Sequence, residues 1–63
     1  MSDIKAVTIQ KINLGSVILR KYHVDYYSGD SCTFGVPPET VLKFIKENRH
    51  DFQKVKYTFK AEK

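Results

Sequence analysis

The chain has 63 residues, so it forms at most one small domain, and a domain of this size buries only about 60% of the surface that its unfolded chain exposes. With 41% hydrophobic and 29% charged residues, the composition is typical of a globular protein and excludes a disordered tail. The single Cys excludes an internal disulfide, and no cluster of Cys and His predicts a zinc site. The net charge of +4, from eleven Lys and Arg against seven Asp and Glu, favours an anionic partner.

The beginning of the chain predicts neither export nor membrane insertion. The segment MSDIKAV lacks the basic region and the apolar run of a signal peptide. No apolar run approaches the ~20 residues that a membrane-spanning helix needs. Since the lone Cys32 also suits a reducing compartment, we expect a cytoplasmic protein. We expect residues 1–63 to form one compact domain, with residues 1–3 and 62–63 frayed.

The first two predicted strands form a hairpin. Residues 4–12 show the alternation of a half-buried strand, and residues 13–16 (NLGS) supply the turn. Pairing Ile12 with Val17 across this turn sets the register of the two strands. In that register one face of the hairpin carries Val7, Ile9, Ile18, Tyr22, Val24 and Tyr26.

A second hairpin is predicted at the turn formed by residues 28–31 (SGDS). A three-residue loop pairs Tyr26 with Cys32 and brings the apolar faces together. A two-residue loop pairs Tyr27 with Cys32 and moves the side chains of one strand to the opposite face. Because a buried face decides the register, we prefer the three-residue loop. The third strand is expected to continue through Val36 and to end at the two prolines that follow.

From Pro38 the spacing of apolar residues changes from two to about 3.6, which predicts a helix. The predicted buried stripe consists of Val41, Leu42, Phe44, Ile45, Asn48 and Phe52. The helix is expected to end within residues 48–50, with Asn48 or Asp51 as the stop residue. About ten to twelve residues span roughly 15–18 Å. This length matches a strand of about five residues, so we expect the helix to cross the sheet once.

The last strand is predicted at residues 53–63 (QKVKYTFKAEK), where Val55, Tyr57 and Phe59 alternate with polar residues. The order β-β-β-α-β indicates an α+β domain: an antiparallel meander plus a final strand, with one helix packed on one sheet face. A right-handed crossover places the final strand parallel to a neighbour, which is either the first or the third strand.

No group of residues predicts catalysis or metal binding. The candidate bases and nucleophiles are His23, His50 and Cys32. The alternation places His23 on the open sheet face and Cys32 in the core, so the two cannot reach the hydrogen-bond distance that base catalysis needs. The three glycines lie in separate turns or strands and form no phosphate-binding loop. We therefore expect a protein that is not an enzyme and that has no metal, cofactor or small-molecule substrate.

The sheet face away from the helix is predicted to be basic, because it carries Lys21, Lys54, Lys56 and Lys60 against a single acid, Asp25. Lysines on an open sheet can contact a phosphate backbone, where counterion release drives binding. The leading hypothesis is therefore a DNA- or RNA-binding protein whose recognition is phosphate-led and weakly sequence-specific. The expected flanking contacts are Arg20, Lys43 and Arg49.

Two observations weaken this hypothesis. Proteins that bind single strands also need aromatic stacking platforms, and the alternation turns most aromatic side chains inward and leaves only Tyr27 clearly outside. A lysine-rich face also has a simpler explanation, since lysines keep the edges of a sheet from pairing with other chains.

The predicted register also leaves an apolar group on the exposed face, consisting of Ile12, Leu14, Val17 and Leu19. The same register points Arg20 toward the core side, and a β-bulge near Arg20 and Lys21 would instead bury Val17 and Leu19. Without a bulge, such a patch usually marks a protein interface.

The second hypothesis is thus a protein-interaction module of the inhibitor or adaptor type that uses this patch or a sheet edge. The hairpin–helix–strand plan of residues 20–60 resembles that of some small phage-encoded inhibitors of host enzymes in topology and size. A third hypothesis is a homodimer whose shared sheet is the functional unit, because a core this small gains stability from a partner.

Overall fold

The computed structural model describes residues 3–61, and it shows a four-stranded mixed sheet with one helix. This confirms the predicted α+β domain and the order of its elements. The elements are β1 (Ile4–Asn13), β2 (Ile18–Tyr26), β3 (Ser31–Phe34), α1 (Glu39–Asn48) and β4 (Val55–Ala61).

The strands are arranged in the order β3-β2-β1-β4. The first three form an antiparallel meander, and β4 lies beside β1 and parallel to it. The last strand therefore takes the first of the two positions that the sequence left open. Since β3 and β4 occupy opposite edges, the chain must pass over the sheet between them, and α1 lies in that connection.

The register of the first hairpin differs from the predicted one. Ile12 pairs with Leu19 and not with Val17, which is a shift of two residues. The turn explains the shift: Gly15 adopts a φ of +85°, and its N–H donates to Asn13 Oδ1 at 3.1 Å. The turn is centred on Gly15 and Ser16. As a result, the strands are longer than expected. A shift of two leaves every side chain on its predicted face.

The second hairpin is also shifted by two residues from the preferred register. Val24, not Tyr26, pairs with Cys32. The loop has three residues, as preferred, but they are residues 27–29 and not 28–30. The N–H of Tyr26 donates to the carbonyl of Asp30 at 2.9 Å, and Gly29, with a φ of +96°, donates to the carbonyl of Tyr26 at 3.0 Å. The two-residue loop, which would have changed the faces, is wrong. The strand does not reach Val36, which is 88% exposed.

The structure places a bulge at a position that the sequence did not indicate. The pairing of β1 with β2 is continuous through Arg20 and Lys21, so the bulge considered there is wrong. The register shifts instead between Ile4 and Ala6. The extra residue allows both Ile4 and Val7 to point towards the helix, where they are buried.

The core lies between α1 and one end of the sheet. It consists of Ile4, Val7, Val24, Val41, Phe44 and Val55. The helix begins after Pro38, whose carbonyl accepts hydrogen bonds from the N–H groups of Val41 and Leu42. It ends at Asn48, as predicted, where the side-chain Nδ2 donates to the carbonyl of Phe44 at 2.9 Å.

Two residues of the predicted helical stripe are not buried. Leu42 is 49% exposed because it lies about 100° around the helix from Val41 and so falls outside the contacting face. Phe52 is 80% exposed because the helix has already ended at Asn48.

The helix covers only half of the sheet. Ten helical residues span roughly 15 Å, whereas the ten residues of β1 span roughly 33 Å. The molecule is accordingly elongated, with extents of 40 × 22 × 20 Å. The expected match between the helix and a five-residue strand is wrong, since both turns are tight and the strands of the first hairpin are twice that length.

Of the residues expected to fray, 1–2 and 62–63 lie outside the described residues. The carbonyl of Asp3 accepts a hydrogen bond from the N–H of Tyr27 at 3.0 Å. Within residues 3–61, no helix has the length and apolar character needed to cross a membrane.

Candidate nucleic-acid interface

In the part of the sheet beyond the helix, most side chains of β2 and β4 are exposed and those of β1 are half-buried. We call residues 9–22 and 57–61 the distal sheet, and the part of the sheet that lies under the helix the proximal sheet. Phe59 is 65% exposed and Tyr57 62% exposed in the distal sheet, whereas Val55 at the start of the same strand is fully buried. The burial of β4 therefore ends where the helix ends.

On the helix side, two rows of side chains cross the distal sheet. The first row is Tyr22, Ile9 and Tyr57, and the second is Arg20, Lys11 and Phe59. Together with Thr58, these residues line a cleft of about 370 Å³, which we call the aromatic cleft. The expectation that the aromatic side chains of β4 point into the core is thus wrong. They are on the predicted face, but within residues 3–61 no element covers them, and they are 62% and 65% exposed.

Lys11 and Arg20 are site residues whose position beside the aromatic rings could not be recognised from the sequence. Both stand at positions that the alternation assigns to the apolar face, and they pair with each other across β1 and β2. Two cations at inward-facing positions of one row indicate where the core ends, because an unpaired charge is not buried at such a position. Arg20 was expected as a flanking contact that points toward the core side of the sheet, and it lies on the helix side.

The open face of the sheet is polar at its centre. A depression of about 510 Å³ is lined by Thr8, Gln10, Lys21, His23, Thr33 and Thr58. His23 lies on this face, as predicted, with Nδ1 3.0 Å from Thr33 Oγ1 and Nε2 3.3 Å from Asp25 Oδ1. The imidazole therefore ties β2 to β3 and is oriented by a carboxylate on the same strand.

The structure does not bring the seven predicted cations onto one surface. Lys21, Lys56 and Lys60 lie on the open face, where they pair with Gln10, Thr8 and Ile12 respectively. Lys54 precedes β4 and lines a depression of the proximal sheet that also contains Lys56, Asp25 and Asp30. Lys43 belongs to the helix and lines a separate cleft with Asp3 and Glu47, and Arg49 follows the end of the helix.

The net charge of the protein is concentrated in the distal sheet. Residues 9–22 and 57–61 contain four of the eleven basic residues and none of the seven acidic ones. The seven basic and seven acidic residues in the rest of the chain cancel. The four cations divide evenly between the two faces, with Lys11 and Arg20 on the helix side and Lys21 and Lys60 on the open side.

The apolar group predicted on the exposed face is present. Leu14, Val17 and Leu19 are 44%, 51% and 42% exposed, and Ile12 is half-buried on the same side. Ile18, on the helix side of the same end, is 56% exposed. Because no bulge occurs near Arg20, the second of the two explanations for this group, an exposed patch, describes the structure.

Cys32 departs from its predicted environment. Its side chain was expected in the core, but β3 is the edge strand and the helix does not reach it, so the thiol is exposed. It lies on the face opposite to His23, because it pairs with Val24. Within residues 3–61, no group of three or more His, Cys, Asp and Glu side chains could hold a metal ion.

No family model, curated protein sequence or solved structure matches this chain. The evidence for its function therefore lies in its own residues, and the distal sheet is the surface where exposed rings and cations occur together.

Proposed function

We propose that this protein is a non-catalytic nucleic-acid-binding protein that contacts phosphates through the distal sheet. The observation that supports the proposal is the charge distribution: all of the excess positive charge lies in the half of the sheet that the helix does not cover. A surface whose own residues, 9–22 and 57–61, include no Asp or Glu attracts a polyanion over a long range and gains affinity from counterion release. Such binding is phosphate-led and weakly sequence-specific.

The proposal assigns different roles to the lysines of the open face. Lys21 and Lys60 belong to the distal sheet and act with Lys11 and Arg20. Lys54 and Lys56 line a depression together with Lys5 and two carboxylates, Asp25 and Asp30, so the attraction of these lysines for phosphate is partly offset there. A nucleic-acid partner also agrees with a cytoplasmic location, where the exposed thiol of Cys32 remains reduced.

The test is a titration with short single- and double-stranded DNA and RNA at about 50 and 200 mM salt. The logarithm of the affinity should fall linearly with the logarithm of the salt concentration, with a slope of about −0.7 to −0.9 for each phosphate contacted. The variant Lys11→Glu/Arg20→Glu should bind much more weakly and reduce the slope by about 1.5, because it removes two contacts on one face of the sheet.

The matched control is Lys43→Glu/Lys46→Glu, which makes the same change in net charge on the exposed side of the helix. This variant should lose only a small part of the affinity. Lys54→Glu/Lys56→Glu tests the proximal part of the open face in the same way. If all three variants lose affinity equally, binding follows net charge alone and the distal sheet is not the site. If the wild-type protein does not bind at low salt, the proposed function is wrong.

A second candidate function, a protein-interaction module, is favoured by the exposed group Leu14, Val17 and Leu19. In addition, β3 pairs only with residues 22–25 of β2, so the outer edge of residues 18–21 is available for strand addition. Leu19→Ser should abolish this activity and leave nucleic-acid binding intact. Sedimentation at two protein concentrations separates a heterologous partner from a homodimer.

A further inference from the structure

We propose that the aromatic cleft stacks unpaired bases, so that the ligand of the distal sheet is a single-stranded nucleic acid. This inference rests on the proposed function and adds a ligand class and base-contacting residues to it. The residues that stack are Tyr57 and Phe59, with Tyr22 at the back of the cleft. Lys11 and Arg20 contact the adjoining phosphates.

The two rings of β4 are free for such a role. Both are more than 60% exposed, and neither belongs to the core cluster, which ends at Val55 on the same strand. They project from one face of the strand two residues apart, which places their Cβ atoms roughly 7 Å from each other. Tyr22 lies in the same row as Tyr57, two strands away, at roughly 10 Å. The cleft therefore presents several ring faces over a few nucleotides.

The cations stand where a stacked strand would bring its backbone. Lys11 and Arg20 occupy the same row as Phe59, and all three line the cleft. A base stacked on Phe59 would thus carry its phosphate alongside two positive side chains. Aromatic platforms interleaved with basic residues are the arrangement by which proteins hold single strands without reading sequence, because every base has a π face.

A duplex does not fit this surface as well. Bases in a duplex are already stacked on one another, and only their edges are accessible in the grooves. The rings of the cleft lie on a broad sheet face rather than on an element narrow enough to enter a groove. Single strands expose base faces, which is why open sheets with aromatic side chains serve as platforms for unpaired bases. The charge of the cleft argues against a second copy as its occupant, since that copy would bring further cations to it.

The experiment uses Phe59→Trp in the full chain, which has no native Trp, so that the new indole is the only one. We expect its fluorescence to be quenched on titration with oligo(dT) of about ten nucleotides. The ligand controls are an abasic deoxyribose-phosphate oligomer of the same length and the corresponding duplex. The protein control is Phe52→Trp, at an aromatic position that is 80% exposed and outside the cleft. It should not respond to oligo(dT).

Alanine substitutions measure the contribution of each ring. Tyr57→Ala and Phe59→Ala should each weaken oligo(dT) binding about 5- to 100-fold and leave binding of the abasic oligomer nearly unchanged. Tyr27→Ala and Phe52→Ala remove equally exposed rings elsewhere and should leave both affinities unchanged. Circular dichroism of each variant verifies that the fold is retained.

The outcomes separate the two proposals. If the abasic oligomer binds as tightly as oligo(dT), or the duplex binds as tightly as the single strand, the distal sheet contacts phosphates and the stacking inference is wrong. If no polyanion binds, both proposals are wrong. If the indole of Phe59→Trp changes its emission with protein concentration in the absence of ligand, a second copy covers the cleft, and this result also overturns the inference.

Discussion

The two halves of the sheet are built from the same four strands but differ in cover, charge and composition. In the proximal sheet, the small side chains of Val7, Val24 and Val55 are fully buried beneath Val41 and Phe44. In the distal sheet the larger rings of Tyr57 and Phe59 are mostly exposed. The alternation of polar and apolar residues in a strand therefore identifies its two faces. It does not show how far along the strand the apolar face is buried.

The two halves of the sheet also differ in charge. The proximal half of the molecule and the helix contain as many acidic as basic residues, whereas the distal sheet contains only basic ones. Buried area stabilises the first region, and the second carries exposed apolar and cationic groups that contribute little to folding. Stability and binding are therefore expected to respond to different substitutions.

The largest expected effect is on the free energy of unfolding, when a Phe ring is removed from the proximal half of the molecule and, for comparison, from the distal sheet. Phe44→Ala deletes a ring that is 7% exposed, and it should reduce the free energy of unfolding by about 3–5 kcal/mol. For a domain whose total stability is of the order of 5 kcal/mol, this change leaves about 0–2 kcal/mol, so the folded state becomes only marginally stable. Phe59→Ala should cost less than about 1 kcal/mol, because its ring is already exposed to water. Urea unfolding followed by circular dichroism measures both values.

The comparison between the regions breaks down if Phe59→Ala is as destabilising as Phe44→Ala. In that case the distal sheet is packed in solution, and the destabilisation of Phe59→Ala should then depend on protein concentration.

A smaller effect is expected at the turn of the distal hairpin. Gly15→Ala places a side chain at a φ of +85°, and this should cost about 1–2 kcal/mol of unfolding free energy through backbone strain. The control is Gly35→Ala, since Gly35 has no positive φ and a Cβ there would meet no atom within 4 Å. It should be neutral or slightly stabilising. Equal losses in the two variants would show that the turn does not determine the register of the hairpin.

The smallest effect is expected at the ion pair of the proximal open face. His23 and Asp25 are 46% and 45% exposed, and exposed pairs contribute little because water and salt screen them. Asp25→Asn should therefore change the free energy of unfolding by less than about 0.5 kcal/mol. Thermal unfolding at low and high salt provides the measurement, and a loss above about 1 kcal/mol would show that the pair positions β3.

The elements and their faces were predictable from the residues, while the registers were not. The period of two in β1, β2 and β4 and the change of period at Pro38 locate strands and helix, because each period follows from backbone geometry. The registers depend on which residues enter the turns, and that is decided by hydrogen bonds such as the one from Gly15 to Asn13 Oδ1. The alternation cannot detect an error of two residues.

The candidate site was predictable only in part. Lys21 and Lys60 were identified from their face, and Leu14, Val17 and Leu19 from their mismatch with the alternation. The aromatic cleft was not identified, because Tyr57 and Phe59 have the pattern of core residues and only the length of the helix leaves them exposed. The cross-strand pair of Lys11 and Arg20 could have indicated the cleft. This pair can be recognised only with the correct register of the first hairpin.

The parallel pairing of β1 with β4 has a consequence for how the chain folds. Val7 in β1 pairs with Val55 in β4, which follows much later in the sequence. The core is therefore complete only when two residues of high sequence separation come into contact. Such contacts make folding slower than local hairpins do, because the intervening chain must be ordered first. During synthesis, β1 therefore keeps one unpaired edge until β4 has left the ribosome. The aromatic cleft, which draws on β1, β2 and β4, forms only when β4 joins the sheet.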